Sequence, residues 1–581
     1  MDTSSLENDE KQWTSDRYRG DMMPEFTAKA VIAGGLVGAL LMASNVYVGL
    51  KTGFFAGGSI FSAILCFVIL RSFRTSFSIL ENNIAQTVAS AAASIGVVVS
   101  VLPALIMLGY EFSMFEFFIW LLAVSFLGVL FAVPLRKQSL VVEKLPFPSG
   151  TACAATITAM HADATDAVRR GKMLGVSGLL SLVIVWFRDA VPAFIPSFSF
   201  LPGKISGIGL NQLMIGFSWM PMLFGVGILV GTRIGISLLL GSIIAFGVIG
   251  PVLVTNDIIE SASFTDIRGW TMWPALAMMI TAGLVSLLMK GNLFIRTLRS
   301  MKGASITSTG KYEFPFRVWL TGLIVSAIVI CIVMLVFFNI PVWMSLLLIV
   351  IAFILTAVAV RTYGETDVLP AGQMGWTSQI IFGALSPGNT LTNVMSGGVS
   401  ASGANTAGDV MADLKAGYIL GATPRRQTYG QFIGVVIGTC VALPVFFLLT
   451  SVYTLGNAEL PAPAGVSWSG LANVLVDGFE ALPPYSTAGV YIGILLGVLL
   501  TLGGNTNMRR FLPSPIGVGV AMLLPATISF SIFAGAMIAV IVKRVSPQWW
   551  ETYSMPLASG LIAGEAVIGL IIVLLQTAGA F

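Results

Sequence analysis

The stretch LASGLIAGEAVIGLIIVLLQ, residues 557–576, holds twenty residues of which only Glu565 is charged. As a helix it rises about 30 Å, the thickness of a bilayer's hydrocarbon core, so it reads as a transmembrane span. The chain around it repeats the pattern. Apolar stretches run at 27–50, 53–70, 84–109, 114–135, 172–195, 209–231, 234–255 and 271–290, then at 316–339, 341–360, 377–408, 429–452, 487–504 and 515–542. A shorter one, 147–160, is too brief to span upright and reads as a re-entrant segment. The expected fold class is all-α, a polytopic membrane protein of about 15–16 helical membrane segments in two related halves, some re-entrant or broken.

Composition excludes the soluble classes. Of 581 residues, 56% are hydrophobic and 10% charged, with a mean hydropathy of +0.90, whereas soluble proteins carry about 25% charged residues. With 31 basic and 27 acidic residues scattered along the chain, no basic run is present to hold nucleic acid, and none is expected as a partner. The single histidine, His161, allows no His-cluster metal site. Cys66, Cys153, Cys331 and Cys440 lie in apolar segments without pairing or ligand spacing. No metal site and no cofactor is expected.

Residues 1–24 are polar and read as a cytoplasmic tail, not a signal peptide. With that end inside, Arg71 and Arg74, Arg136 and Lys137, Arg169 to Lys172, Arg233 and the basic residues of 290–311 all fall on the cytoplasmic side, as the bias of Lys and Arg toward cytoplasmic loops requires. A first membrane repeat, 25–290, is then joined by a cytoplasmic linker, 291–312, to a second, 313–581. Two motifs recur in matching order. Glu25-Phe26-Thr27-Ala28-Lys29 answers to Glu313-Phe314-Pro315-Phe316-Arg317, and Leu145-Pro146-Phe147-Pro148-Ser149-Gly150 to Leu512-Pro513-Ser514-Pro515-Ile516-Gly517. Even crossing numbers relate the repeats by an axis along the membrane normal. Such repeats place a substrate site near the midplane, between broken helices, and the Leu-Pro-x-Pro segments are the candidates for the breaks. Two ordinary helix starts with Pro in the first turn are the plain alternative.

Glu565 lies nine residues past Pro556, about 14 Å into its span and so near the midplane. Desolvation there disfavours a charged carboxylate, which suits a group that loads and unloads a proton, with the proton as coupling ion. Arg188 and Asp189 read as an interfacial ion pair that snorkels to the surface, and Lys51 and His161 as solvated. The binding candidates are neutral. Asn83, Gln86 and Ser90 interrupt an apolar stretch, with Gln86, Ser90 and Ser94 recurring every four residues on one helix face. Residues 386–409 are rich in Gly, Ser and Asn and supply Asn393, Ser396 and Asn405, while the Leu-Pro-x-Pro segments supply Ser149, Thr151 and Ser514.

Four motifs give a resemblance. Ser44-Asn45-Val46-Tyr47-Val48-Gly49-Leu50-Lys51-Thr52-Gly53, the two Leu-Pro-x-Pro segments with Thr151-Ala152 and Val518-Gly519 after them, and Ala558-Ser559-Gly560-Leu561-Ile562-Ala563-Gly564-Glu565 run from end to end. In that order the chain resembles the oligopeptide transporter (OPT) family, which includes the yellow-stripe-like metal-chelate carriers. The resemblance implies a compact prokaryotic-type, proton-coupled symporter in the cytoplasmic (inner) membrane, importing small peptides or peptide-like compounds. A metal-chelate substrate is the alternative. In the yellow-stripe-like branch the last motif resembles Gly-Asp-Gly, and here Ala566 follows Glu565. The lipid bilayer and the substrate are the expected partners, with a homodimer as a further candidate. An enzyme is not expected, since no metalloprotease, intramembrane-protease or Walker A pattern is present.

Overall fold

The computed structural model describes residues 13–54, 59–73, 76–162, 164–190, 194–289, 312–478 and 482–579. Residues 1–12 of the tail, Arg74, Pro192 and positions 290–311 of the expected linker lie outside them.

The first half of the sequence forms α1 (Ala28–Thr52), α2 (Ser59–Ser72), α3 (Ile79–Ala93), α4 (Val101–Met107), α5 (Met114–Arg136), α6 (Pro148–Ala162), α7 (Ala164–Val185), α8 (Pro221–Ser242), α9 (Gly250–Thr255) and α10 (Phe264–Met289). The second forms α11 (Phe316–Val336), α12 (Val342–Thr366), α13 (Ala371–Leu385), α14 (Thr390–Leu420), α15 (Pro424–Val452), α16 (Pro463–Asp477), α17 (Ser486–Gly503), α18 (Pro515–Met522), α19 (Ala526–Val545) and α20 (Pro547–Thr577). Among the described residues twelve helical stretches are long and apolar enough to cross a membrane, with Ile79–Met107 and Pro221–Thr255 each counted as one. The protein is an all-α, multi-pass membrane protein.

Several expected spans are shorter or divided. The 53–70 stretch becomes α2, only 14 residues long. The 377–408 stretch is split between α13 and α14 at Ser386–Asn389, where Asn389 caps the second helix by accepting from the Thr392 N–H. The 515–542 stretch breaks between Met522 and Ala526 at Pro525, whose missing N–H suits a helix start. The 209–231 stretch contains no span. Residues 198–218 form two small antiparallel ribbons, β1 (Phe198–Phe200) with β4 (Gly216–Ser218) and β2 (Lys204–Ile205) with β3 (Ile208–Gly209). The chain then enters α8 and bends at Gly231, with φ +78°, a conformation glycine adopts freely. Gly227 and Gly235, on either side of it, both pack on Ala536, so the chain folds back there.

The helices assemble into two bundles, and each bundle takes members from both sequence halves. One gathers α1–α6 with α11–α16, where α14 packs on α5, α12 and α13, and α15 on α1 and α3. The other gathers α7–α10 with α17–α20, where α8 packs on α19, α10 on α17, and α7 on α20. The bundles meet where α1 and α15 face α20. Backbone approach is close. A Cβ on Gly438 of α15 would stand 2.2 Å from the Ala92 carbonyl oxygen of α3.

One face of the molecule is organised by the N-terminal segment. Trp13 Nε1 donates to the Tyr418 carbonyl at 2.9 Å and stacks on its ring, and the buried Glu25 accepts from the Thr423 N–H and from Arg426. Burial pushes the Glu25 carboxyl up, and those donors draw it back. Capping boxes at Ser78/Glu81 and Ser113/Glu116 start α3 and α5. The two repeat-opening acids, Glu25 and Glu313, lie on this face, the second paired with Arg136.

Overpacking a tight core typically loses about 1–3 kcal/mol. Gly438→Val should therefore lower the thermal midpoint of the detergent-solubilised protein, while Gly175→Ala, inside α7 and with nothing within 4 Å of the added methyl, should hold or slightly raise it.

Candidate functional site

A cavity of about 390 Å³ lies where the two bundles meet. It exists because helices stop there. α1 ends at Gly53, the α3–α4 rod breaks at Gly96–Ser100, and α13, α16 and α18 begin beside it at Ala371, Pro463 and Pro515. The first bundle supplies most of its wall and the second contributes Met279, Ile516 and Val520. Its polar groups are Ser100, Gln373, Asn405 and Ser467, set among the indoles of Trp376 and Trp468, and no charged side chain lines it. Trp376 Nε1 is buried and has no acceptor among the described residues.

Asn405 lines this cavity, as one of nine neutral candidates from the sequence. Asn393 and Ser396 brace α13 against α14 instead. Asn393 exchanges hydrogen bonds with Gln379 (Nε2 to Oδ1 2.9 Å, Nδ2 to the Gln379 carbonyl 2.6 Å), and Ser396 Oγ donates to the Asn393 carbonyl at 2.7 Å. Gln379 in turn donates to the Trp468 carbonyl, so this brace backs the cavity wall. Ser149 donates to Asp367 from both its N–H (2.9 Å) and its hydroxyl (2.7 Å), and Thr151 bonds to the Pro146 carbonyl. Ser514 caps α18. Asn83 is wholly buried and both ends of its amide lack a partner, while Gln86 and Ser90 turn toward α14 at Asp413.

The charged residues group differently from the sequence reading. Arg188 is not an interfacial, snorkelling group. It is 3% exposed and bridges two acids, holding Asp189 through two nitrogens at 2.6 Å and Glu565 Oε1 at 3.1 Å. The other Glu565 oxygen accepts from the Met222 N–H at 2.7 Å, at the start of α8. Lys51 is not solvated either. It is 5% exposed, with its Nζ 5.0 Å from the Tyr47 ring centroid and 5.4 Å from that of Tyr453, and Glu565 and Arg188 act on it electrostatically. Lys51, Tyr47 and Tyr453 belong to the first bundle and Arg188, Asp189 and Glu565 to the second. Two cations and two anions therefore balance across the bundle interface. His161, expected in a loop, lies in α6 with its ring edge-on to Phe67 and Phe77 at 5.2 Å.

This arrangement, a neutral cavity between bundles of broken helices with a buried charge cluster beside it, is one a carrier can use. The family model described as OPT oligopeptide transporter protein matches residues 25–576. This chain belongs to the OPT family. It is 25% identical to a Saccharomyces cerevisiae protein provisionally named an oligopeptide transporter, over 94% of this chain and 96% of that one. A Haemophilus influenzae protein, named in the same provisional way, is 27% identical over 91% of this chain and 92% of its own length. A metal-nicotianamine transporter of Arabidopsis thaliana is 24% identical over 98% of this chain and 96% of that protein. As an OPT protein the chain is a transporter and not an enzyme. Among the described residues no group of three His, Cys, Asp or Glu could hold a metal ion.

Removing one partner of a buried ion pair typically destabilises by about 3–5 kcal/mol, because the other charge is left bare. Arg188→Gln should lower the OPT protein's stability in detergent by that order. Adding Glu565→Gln should recover part of the loss, as a double-mutant cycle on denaturant midpoints would show.

Proposed function

We propose that this OPT protein is a proton-coupled secondary active transporter that imports small peptides or peptide-like compounds across the cytoplasmic membrane, with its N-terminal face in the cytoplasm. The carrying observation is the cavity between the bundles. Its volume of about 390 Å³ falls in the range of small-molecule sites. Its amide, hydroxyl and indole lining offers donors and acceptors that match a peptide backbone, and its apolar wall suits side chains. The orientation follows from Arg17, Arg19, Lys29, Arg71, Arg136 and Arg426 on the N-terminal face.

Coupling is assigned to Glu565. A proton on this carboxyl cancels its half of the ion pair, and Arg188 is left to Asp189 alone. The charge balance with Lys51 across the interface then changes, and the packing of one bundle on the other responds. Internal repeats that rock around a midplane site work in this manner. The relatives named as metal-nicotianamine transporters supply a second reading, in which a chelate occupies the same cavity and the metal arrives as cargo.

Proteoliposomes with an inward proton gradient, offered a pooled peptide library beside ferric and nickel chelates, test the reading. Peptide accumulation that collapses with a protonophore supports it, accumulation of chelates alone moves the substrate to the second reading, and gradient-independent uptake removes proton coupling. Glu565→Gln should abolish gradient-driven accumulation and spare exchange of the accumulated substrate. Gln373→Leu removes one neutral hydrogen-bonding amide from the cavity wall, worth about 1 kcal/mol, so the affinity for that substrate should fall roughly fivefold.

A further inference from the structure

Asn405, Asp409 and Asp413 stand four residues apart on α14 and share one face. Facing them is the stripe of Ser94, Ser90 and Gln86. Asn405 Nδ2 donates to the Ser94 carbonyl at 2.5 Å, the Ser94 side chain lies against Asp409, and Ser90 lies against Asp413. Gln86 Nε2 donates to Asp413 Oδ1 at 2.6 Å. A polar seam thus leaves the cavity at Asn405 and ends one and two helical turns away, on two carboxylates.

Asp413 is wholly buried, and its neighbours are neutral donors. Ser59 Oγ reaches Oδ1 at 3.0 Å and Gln431 Nε2 reaches Oδ2 at 2.9 Å. The titratable groups facing it are Asp409 on its own helix, Cys153 of α6 and Tyr363 of α12, and none of them is positive. From α15 come Gln427 and Gln431, from α3 Gln86, and from α2 Ser59. Lys415 turns away, its Nζ donating to the Leu145 carbonyl at 2.8 Å. Among the described residues neither aspartate is in a salt bridge. A second observation points to a bound species. Gln86 Oε1 and Gln431 Oε1 belong to the amides whose nitrogens hold Asp413. Both are buried acceptors without a partner, and such acceptors call for a donor brought in from solvent.

Two carboxylates one turn apart in a low-dielectric site without a cation do not both stay ionised. Four donors, Ser59, Ser90, Gln86 and Gln431, already meet the Asp413 oxygens, which disfavours a coordinated metal ion there and suits a proton on its neighbour. Asp409, the less buried of the two, is the natural seat. We propose that the Asp409–Asp413 pair is a proton-binding site, reached from the substrate cavity along the Asn405 seam and separate from Glu565, whose charge Arg188 already meets. The proton passes from a hydronium in the cavity to an Asp409 carboxylate oxygen, leaving water, and its departure restores the carboxylate. The proposal deepens the proton-coupled reading by adding a second protonation site beside the substrate.

Infrared difference spectra of the full chain in lipid, taken between acid and alkaline pH, use the proton itself as the probe. The wild type should show a protonated-carboxyl band that disappears on alkalinisation. One component of that band should vanish in Asp409→Asn and persist in Glu565→Gln, which removes only the Glu565 contribution. Asp413→Asn removes the like charge, so any band it keeps should titrate at lower pH. A band unchanged by Asp409→Asn, in protein whose gel-filtration profile matches wild type, overturns the proposal. Because the partly exposed Asp409 decides the result, a poorly folding Asp413 variant does not weaken the test. Proton-driven uptake with an unaltered band would leave the transport reading standing and sink this site. A titrating pair without proton-driven uptake would do the reverse.

Discussion

A charge placed in hydrocarbon must find a partner or give up its charge, and the interface between the bundles is built around that constraint. Glu565 sits near the middle of α20, and the structure brings Arg188 to it from the end of α7. The Met222 N–H from α8 takes the second oxygen, and Lys51 approaches from the opposite bundle. The contacts inside the second bundle are direct, whereas Lys51 rests on rings of its own bundle and meets the cluster across the interface only electrostatically. The Asp409–Asp413 pair meets the same constraint in another way, with neutral amides and hydroxyls in place of a cation.

Membrane helices gain no hydrophobic driving force from meeting one another, so close backbone approach and hydrogen bonding hold them together. Glycines in the helices serve that purpose, as at Gly438 against α3 and Gly227 against α19. The rods break at Gly96–Ser100 and at the starts of α13, α16 and α18, all beside the cavity between the bundles, and irregular backbone at membrane depth is tolerated where it lines a cavity. The break points and the cavity are therefore one feature.

Much of this was legible in the sequence. Apolar runs of membrane length gave the fold class, and the lone charge at Glu565 marked a residue that the structure buries, although its helix starts at Pro547 and Pro556 lies inside it. The four-residue recurrence of Gln86, Ser90 and Ser94 identified a polar helix face that the structure turns toward α14. The pairing of Glu565 was not legible, because Arg188 lies 377 residues away and the prolines after it suggested a helix end at the surface. Asp413 went unread because the polar run was bounded at 386–409, although the four-residue step from Asn405 to Asp409 sets its spacing. The β ribbons at 198–218 hid within a composition apolar enough for a helix. The interleaving of the two sequence halves into both bundles depends on contacts between distant residues, which no local pattern encodes.

The central claim is that the two bundles move against each other around the cavity in response to protonation. Spin labels at Val368, on the first bundle, and Met508, on the second, both exposed, report that movement by pulsed distance measurement in a background without Cys440. The account predicts a distance distribution that shifts between alkaline and acid pH in lipid. One distribution, unchanged at every pH and with substrate added, would contradict it.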